Sequence, residues 1–421
     1  MARIVIATYG SLGDLHPAIA VALELRQRGH DVIVASSENY REKIGTLGLT
    51  FHALRPDLLA EGGHVIAEIM DGPSGTRRLM QERMFPAVRA MHEDLAAILP
   101  GVDLLVASEL VFAAPLLAAT TGVRWVPYFL APVTLFSSVD PPVLPMPPGL
   151  HWLPRVGPRA FRFVKWAARR VSHSWWRPLR ELRRDCGLPP GGHPFFEGKF
   201  SPGLNLALFS PVLQPPQPDW PAGLQQTGFC FYDEAAGNSA AAAALPAEVE
   251  AFLQAGPPPI VFTLGSAAVY VAGQFYAESA RAAQQLGRRA LLLLGGNSPP
   301  PALPPSVLAW DYLPYRAIFP RAAAVVHQGG VGTTAQALRA GRPMVVVPFA
   351  HDQFDNAARV TRLGVGRTLP RGRYRAASIA SVLAGLLADA EAIPKASRIA
   401  AQIAGESGTA TACDALEREL A

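Results

Sequence analysis

Short runs of β-branched and aliphatic residues alternate with longer stretches of helical periodicity along most of the chain. Arg3 to Thr8 reads as a strand, Pro17 to Arg28 as a helix, Asp31 to Ala35 as a strand and Glu38 to Leu47 as a helix. Two more strands are predicted at Asp103 to Ala107 and Arg124 to Phe129, and their near-continuous apolar character fits a parallel sheet covered on both faces. The rhythm lapses between Pro141-Pro142 and Pro147-Pro148, where a loop or cover segment is expected. It resumes with strands at Pro259 to Thr263, Ala290 to Leu294, Ala323 to Val326 and Pro343 to Val347, the last followed by a helix from Asp355 to Leu363. The tail from Ala377 to Ala421 reads as two or three helices broken at Gly405-Glu406-Ser407-Gly408.

The pattern predicts an α/β protein of two doubly wound domains facing a central cleft. Residues 1–232 would form the first domain and 246–421 the second, with the last helix able to pack back on the first. The linker is placed at 233–245, around Gly237-Asn238-Ser239 and five consecutive alanines. In such folds ligands bind outside the carboxyl ends of the strands, so functional residues are expected in the strand-to-helix turns.

Composition narrows the classes. The chain has 421 residues, enough for two domains, and with 50% hydrophobic and 17% charged residues it is not a disordered protein. A net charge of +5 is too small for a general nucleic-acid binder. Cys186, Cys230 and Cys413 are far apart and odd in number, which argues against a disulfide framework or a zinc cluster and for a reducing compartment. Ile4 to Ala7 is too short for a signal peptide core. The apolar stretch Leu104 to Ala119 is interrupted by Ser108, Glu109 and Pro115 and falls short of the roughly 20 residues that span a bilayer. A cytoplasmic location is expected.

The first strand-to-helix turn is Thr8-Tyr9-Gly10-Ser11-Leu12-Gly13-Asp14-Leu15-His16-Pro17. Gly10 and Gly13 let the backbone turn tightly, Pro17 suits a first helical turn, and Asp14 and His16 are left around the helix start. Asp14 is either a functional carboxylate or a helix cap. The turn is neither a nucleotide P-loop nor a Gly-x-Gly-x-x-Gly, and Ala35-Ser36-Ser37 stands where a nicotinamide enzyme needs an acid.

The second half carries His327-Gln328-Gly329-Gly330-Val331-Gly332-Thr333-Thr334 between an apolar strand and a helix. Unpaired amides, a positive helix end and two hydroxyls there suit an anion, with His327 as a further donor or partial positive charge; the plain alternative is a glycine-rich turn without a ligand. His351-Asp352-Gln353 follows the next strand and pairs a carboxylate with an amide, a combination suited to sugar hydroxyls, or else Asp352 only caps a helix. Thr263-Leu264-Gly265-Ser266 offers another hydroxyl and free amides.

Together, Gly10 to Asp14, Thr263 to Ser266, His327 to Thr334 and Asp352-Gln353 resemble the family 1 glycosyltransferases of the two-domain GT-B fold, built of Rossmann-like halves. Pro216-Gln217-Pro218-Asp219-Trp220-Pro221 and Thr227-Gly228-Phe229 are similar to the bacterial group that includes the rhamnolipid-forming rhamnosyltransferase. The resemblance implies that Ser266, His327, Gly329, Gly330, Gly332, Thr333 and Thr334 hold the diphosphate of a UDP- or dTDP-sugar. It implies that Asp352 and Gln353 hold the sugar, and that Tyr312, with Trp310 as its rival, flanks the nucleobase. Asp14 stands at the place of the family's base, with His16 as second candidate, and Ser108 or Glu109 where plant members carry a supporting Asp. Val331 and Gly332 replace the Asn and Ser of plant members, so contacts there would be made by backbone.

The resemblance further implies an inverting single displacement onto a hydroxyl, with Asp14 raised in pKa by burial. No Asp-x-Asp pair or ligand spacing implies a metal, and no cofactor beyond the nucleotide-sugar is expected. A catalytically silent partner of another transferase and a nucleotide-sugar epimerase are the rivals. Phe136, Phe161 and Phe163, between Phe129 and Phe209, suggest a hydrophobic acceptor. From Arg159 to Arg184, nine Lys or Arg stand against Glu181 alone, among Trp166, Trp175 and Trp176. This is either a segment resting peripherally on the inner membrane face or a solvated helix with packed tryptophans. The oligomeric state is left open.

Overall fold

The computed structural model describes residues 1–70, 72–145, 157–233 and 245–421. They form two compact units, one of Met1–Tyr232 with Glu406–Ala421, the other of Asp233–Gly405.

The first unit is built on a parallel sheet of β1 (Arg3–Ala7), β2 (Asp31–Ser36), β3 (Thr50–Ala53), β4 (Leu104–Ser108), β5 (Arg124–Phe129), β6 (Asn205–Ala207) and β7 (Leu224–Gln226). The order is β3-β2-β1-β4-β5-β6-β7, with Ile4 opposite Val32 on one side and Leu104 on the other. Ile4, Val5, Ile6, Leu104 and Leu105 are buried on both faces of the sheet, which is why these strands read as unbroken apolar runs.

The first helix spans Leu12–Gln27, five residues earlier than the sequence suggested. Ser11 is its N-cap and Asp14 its third residue, so Pro17 lies inside the helix rather than in its first turn. Ser11 caps the helix start, and burial of Leu15, Ala18, Ile19 and Ala22 offsets the amide bond forgone at Pro17.

The final helix, Gly408–Leu420, belongs to this same unit. Ala412, Cys413 and Leu416 are fully buried, and Arg28 pairs with Asp414 at 2.6 Å and Glu417 at 2.7 Å. Glu406 accepts a bond from the Ser210 hydroxyl at 2.5 Å.

The basic stretch divides. In the helix Arg177–Asp185 and just before it, Trp176, Leu179 and Leu182 are buried in the unit. In the helix Pro158–Val171, Phe161 and Val164 are buried while Phe163 and Trp166 are exposed.

The second unit has β8 (Ile260–Thr263), β9 (Ala290–Leu293), β10 (Val307–Trp310), β11 (Ala324–His327), β12 (Met344–Val346) and β13 (Gly366–Thr368), all parallel, in the order β10-β9-β8-β11-β12-β13. Both sheets therefore reverse direction beside their first strand, between β1 and β4 and between β8 and β11. The linker expected at 233–245 lies, apart from its two ends, outside the described residues. Asp233 is pinned within the second unit by Arg339 at 2.9 Å and Arg316 at 3.3 Å. Among the described residues no single helix is long and apolar enough to cross a membrane.

Candidate active site

The candidate residues fall into two groups, one per unit. Asp14, Ser108 and Glu109, and Ser266 with the loop from His327, lie where their sheets reverse, the position at which doubly wound folds bind ligands, while Trp310 ends the edge strand β10 and Tyr312 follows it.

In the first unit the chain leaves β1 through Gly10, at φ +136°, and enters the helix at Leu12. A side-chain carbon on Gly10 would lie 2.3 Å from Asp14 Oδ2, so only glycine lets the carboxylate fold back over the turn. The Ser11 amide donates to that oxygen at 2.7 Å and the Ser11 hydroxyl at 3.2 Å. Asp14 is thus the acid of a capping box, and both bonds fall on one of its two oxygens. Burial pushes its pKa up to about 6, against the opposing pull of the Ser11 bonds. Tyr40 steadies the turn by donating to the Gly10 carbonyl at 3.1 Å.

His16 packs its ring against Tyr232, with centroids 5.2 Å apart. At the end of β4, Ser108 is buried and Glu109 pairs with the buried Lys199 at 3.6 Å. Burial raises the Glu109 pKa, with Lys199 opposing and the Asp14 charge adding to the rise. In the supporting place stand Ser108 and Glu109, so the partner of Asp14 there would be a hydroxyl or a second carboxylate. Lys199 escaped the sequence reading; its signal was a lone cation within Phe195-Phe196-Glu197-Gly198-Lys199-Phe200. Glu109 and Lys199 also form part of the wall of a recess lined by Phe112, Leu116, Trp125 and Trp176. The aromatics proposed for the acceptor are placed differently: Phe161 is in the core, Phe163 points to solvent and Phe136 packs on Phe196 at 5.1 Å. Helical periodicity puts Phe161 and Phe163 on different faces.

In the second unit β11 ends at His327, which is fully buried. The Gly329 amide donates to His327 Nδ1 at 3.1 Å, which leaves the proton on Nε2, 3.3 Å from the Met344 sulfur. Burial drives the pKa down to about 3. The ring is therefore neutral, and its remaining donor is the Nε2–H, which faces the Met344 sulfur. Gly329 has φ +93°, and a side-chain carbon there would meet Val346 at 2.6 Å. Gly330 caps the helix Val331–Arg339, which contains Gly332, Thr333 and Thr334.

Gln328 donates to the Thr333 hydroxyl at 3.4 Å, while Gln328 Oε1 and Thr334 Oγ1 are buried with no hydrogen-bond partner. From the neighbouring β8, Thr263 bonds the Tyr315 hydroxyl at 2.9 Å, and Gly265 leaves room for the Gln328 amide. Ser266 follows, half-buried.

Asp352 reaches across to the same helix start, accepting from the Val331 amide at 3.2 Å and from Asn356 Nδ2 at 2.7 Å. Asn356 also donates to the Gly329 carbonyl at 2.8 Å. The sequence reading missed Asn356, although its place one helical turn after Asp352 was visible. Gln353 is buried, its side-chain oxygen taken up by the Phe349 and Ala350 amides at 2.8 and 3.1 Å. Tyr312 is 48% exposed just beyond β10, whereas Trp310 is half-buried as that strand's last residue. Three strand spacings separate β10 from β11, about 14 Å along the carboxyl edge.

Residues 4–123 match the family described as "Glycosyltransferase family 28 N-terminal domain", and residues 296–417 match "Erythromycin biosynthesis protein CIII-like, C-terminal domain". O-mycaminosyltylonolide 6-deoxyallosyltransferase of Streptomyces fradiae is 32% identical over 427 residues, covering 99% of this chain and 97% of that protein. The chain belongs to the family 1 glycosyltransferases. This glycosyltransferase is also 28% identical to a sterol 3-beta-glucosyltransferase of Arabidopsis thaliana, over 86% of this chain and 57% of the plant protein. Among solved structures, the glycotransferase of kitacinnamycin superposes with a TM-score of 0.72 at 21% identity, over 100% of this chain and 99% of the other. The calicheamicin glycosyltransferase does so with 0.70 at 20%, over 100% and 98%. These likenesses establish the GT-B fold of this glycosyltransferase.

Proposed function

We infer that this glycosyltransferase moves a hexose or deoxyhexose from a UDP- or dTDP-sugar to a hydroxyl of a hydrophobic small molecule or lipid, with inversion at the anomeric carbon. The observation that carries the donor half is the loop after β11. Its glycines keep side chains off the start of the helix Val331–Arg339, and Thr334 Oγ1 lies there as a buried hydroxyl in want of a partner, able to donate to a phosphate oxygen. Thr333, Thr334, Ser266 and the backbone at Gly330 and Gly332 would meet the diphosphate, stabilising the leaving group with fixed dipoles and hydroxyls instead of a metal. Tyr312 would stack on the base. Asp352 and Gln353 would face the sugar only after loosening the bonds that now hold them.

On the acceptor side Asp14 takes the hydroxyl proton through Oδ1, since Oδ2 is engaged by Ser11. The recess at Phe112, Leu116 and Trp125 supports an apolar acceptor. The name of the Streptomyces relative favours a 6-deoxyhexose. The tie to the rhamnolipid-forming group rests on Pro216 to Pro221 and Thr227 to Phe229 alone.

The test is calorimetric titration with UDP and dTDP, followed by mass spectrometry of products from sterol, macrolide and hydroxy-fatty acyl acceptors. Binding of one nucleotide and acceptor-dependent transfer, undiminished by a chelator, is expected. Turnover of the donor without acceptor would reveal an epimerase, and binding without any turnover a silent partner.

A further inference from the structure

Residues 141 to 180 contain eight Lys or Arg and no Asp or Glu. The central helix of this stretch, Pro158–Val171, is anchored by Phe161 and Val164, both buried. At 100° per residue, Arg159, Phe163, Trp166 and Arg170 fall on the opposite side. Phe163 is 59% exposed and Trp166 51% exposed, and their rings stack with centroids 5.5 Å apart. The Arg170 guanidinium lies 5.4 Å from the Trp166 ring. Lys165 and Arg169 turn inward, to the Phe136 carbonyl at 3.1 Å and to Glu197 at 2.7 Å. An outer stripe of two large aromatics flanked by arginines is left facing solvent.

We propose that this stripe docks the protein on an anionic lipid surface, with Phe163 and Trp166 entering the headgroup layer and Arg159, Arg162 and Arg170 paired with lipid phosphates. Paired exposed aromatics cost free energy in water and are stable at a membrane interface, where amphipathic rings and long cationic side chains both find suitable surroundings. Forty residues without one acid suit a uniformly negative surface better than a protein face, which fixes its register through charges of both signs. The docking does not depend on the catalytic reading.

The experiment is cosedimentation of the full chain with vesicles of phosphatidylcholine alone or mixed with phosphatidylglycerol, at low and high salt. Binding is expected to the mixed vesicles only and to disappear at high salt. Phe163→Ser with Trp166→Ser should lower partitioning about tenfold or more, and Arg159→Gln, Arg162→Gln and Arg170→Gln together about a hundredfold. Unchanged thermal melts would show that these exposed substitutions leave the fold intact, and Asp14→Asn should bind vesicles like the wild type. Equal binding to neutral vesicles, or undiminished binding by the variants, overturns the proposal. Failure to sediment with either vesicle does so too, and points to an acidic protein as the occupant of the stripe.

Discussion

Replacing Asp14 with Asn tests the base assignment while sparing the helix start. An amide oxygen still accepts from the Ser11 backbone, so the cap survives and the loss in stability stays within about 1 kcal/mol. General-base assistance is worth roughly a hundred- to ten-thousandfold, so kcat/KM should fall by about that factor while nucleotide affinity is kept. The wild-type pH profile adds a second measurement. Burial raises the Asp14 pKa to about 6, so the working carboxylate is present above that pH and is lost as pH falls through it. At pH 5 about a tenth would be ionised, against about nine-tenths for an ordinary aspartate. The assay is kcat/KM for transfer at a series of pH values, which reports groups of the free enzyme. In Ser11→Ala one of the bonds that lowers the pKa is gone, and the acid limb should move to higher pH. An Asp14→Asn variant that keeps more than a tenth of the wild-type rate, or a limb near pH 4, would refute the assignment and promote His16.

Gly329→Ala places a methyl 2.6 Å from Val346 on a backbone at φ +93°. It should cost about 1–3 kcal/mol and weaken nucleotide binding more than acceptor binding, as read by calorimetry and a thermal melt. Asp355→Ala removes the carboxylate that pairs with the buried Arg359 guanidinium at 2.6 Å, where both side chains are 2% exposed. A loss of about 3–5 kcal/mol is expected, a drop of about 10 °C in the unfolding temperature, and a drop under 2 °C would contradict it.

The central strands were legible because strands covered on both faces must be apolar throughout. Thus β1, β2, β4 and β5, and likewise β8, β9, β11 and β12, were all found within a residue or two. The edge strands β3, β7, β10 and β13 were not, because their residues are mostly partly exposed and so carry no continuous apolar run, and β6, though buried, is three residues long and begins with the polar Asn205. Leu224-Gln225-Gln226 carries no signal until a neighbouring strand offers its hydrogen bonds. At the site, the glycines of both turns were visible because close approach demands them, as at Gly10 and Gly329. What the sequence hid was partnership across segments: Lys199 with Glu109, Asn356 with Asp352 and Gly329, Tyr40 with Gly10. His327 shows the same limit, since a residue type does not disclose burial, and burial decides whether an imidazole carries charge.

The seam along Ala412, Cys413 and Leu416 has a bearing on assembly of the chain. The stretch that completes the amino-terminal half is encoded after everything in the carboxy-terminal half, so one module is interleaved within the other. During synthesis the helix Leu12–Gln27 must wait with an uncovered greasy flank until some four hundred residues have emerged. Trimming the last dozen residues would therefore loosen the very helix that presents Asp14.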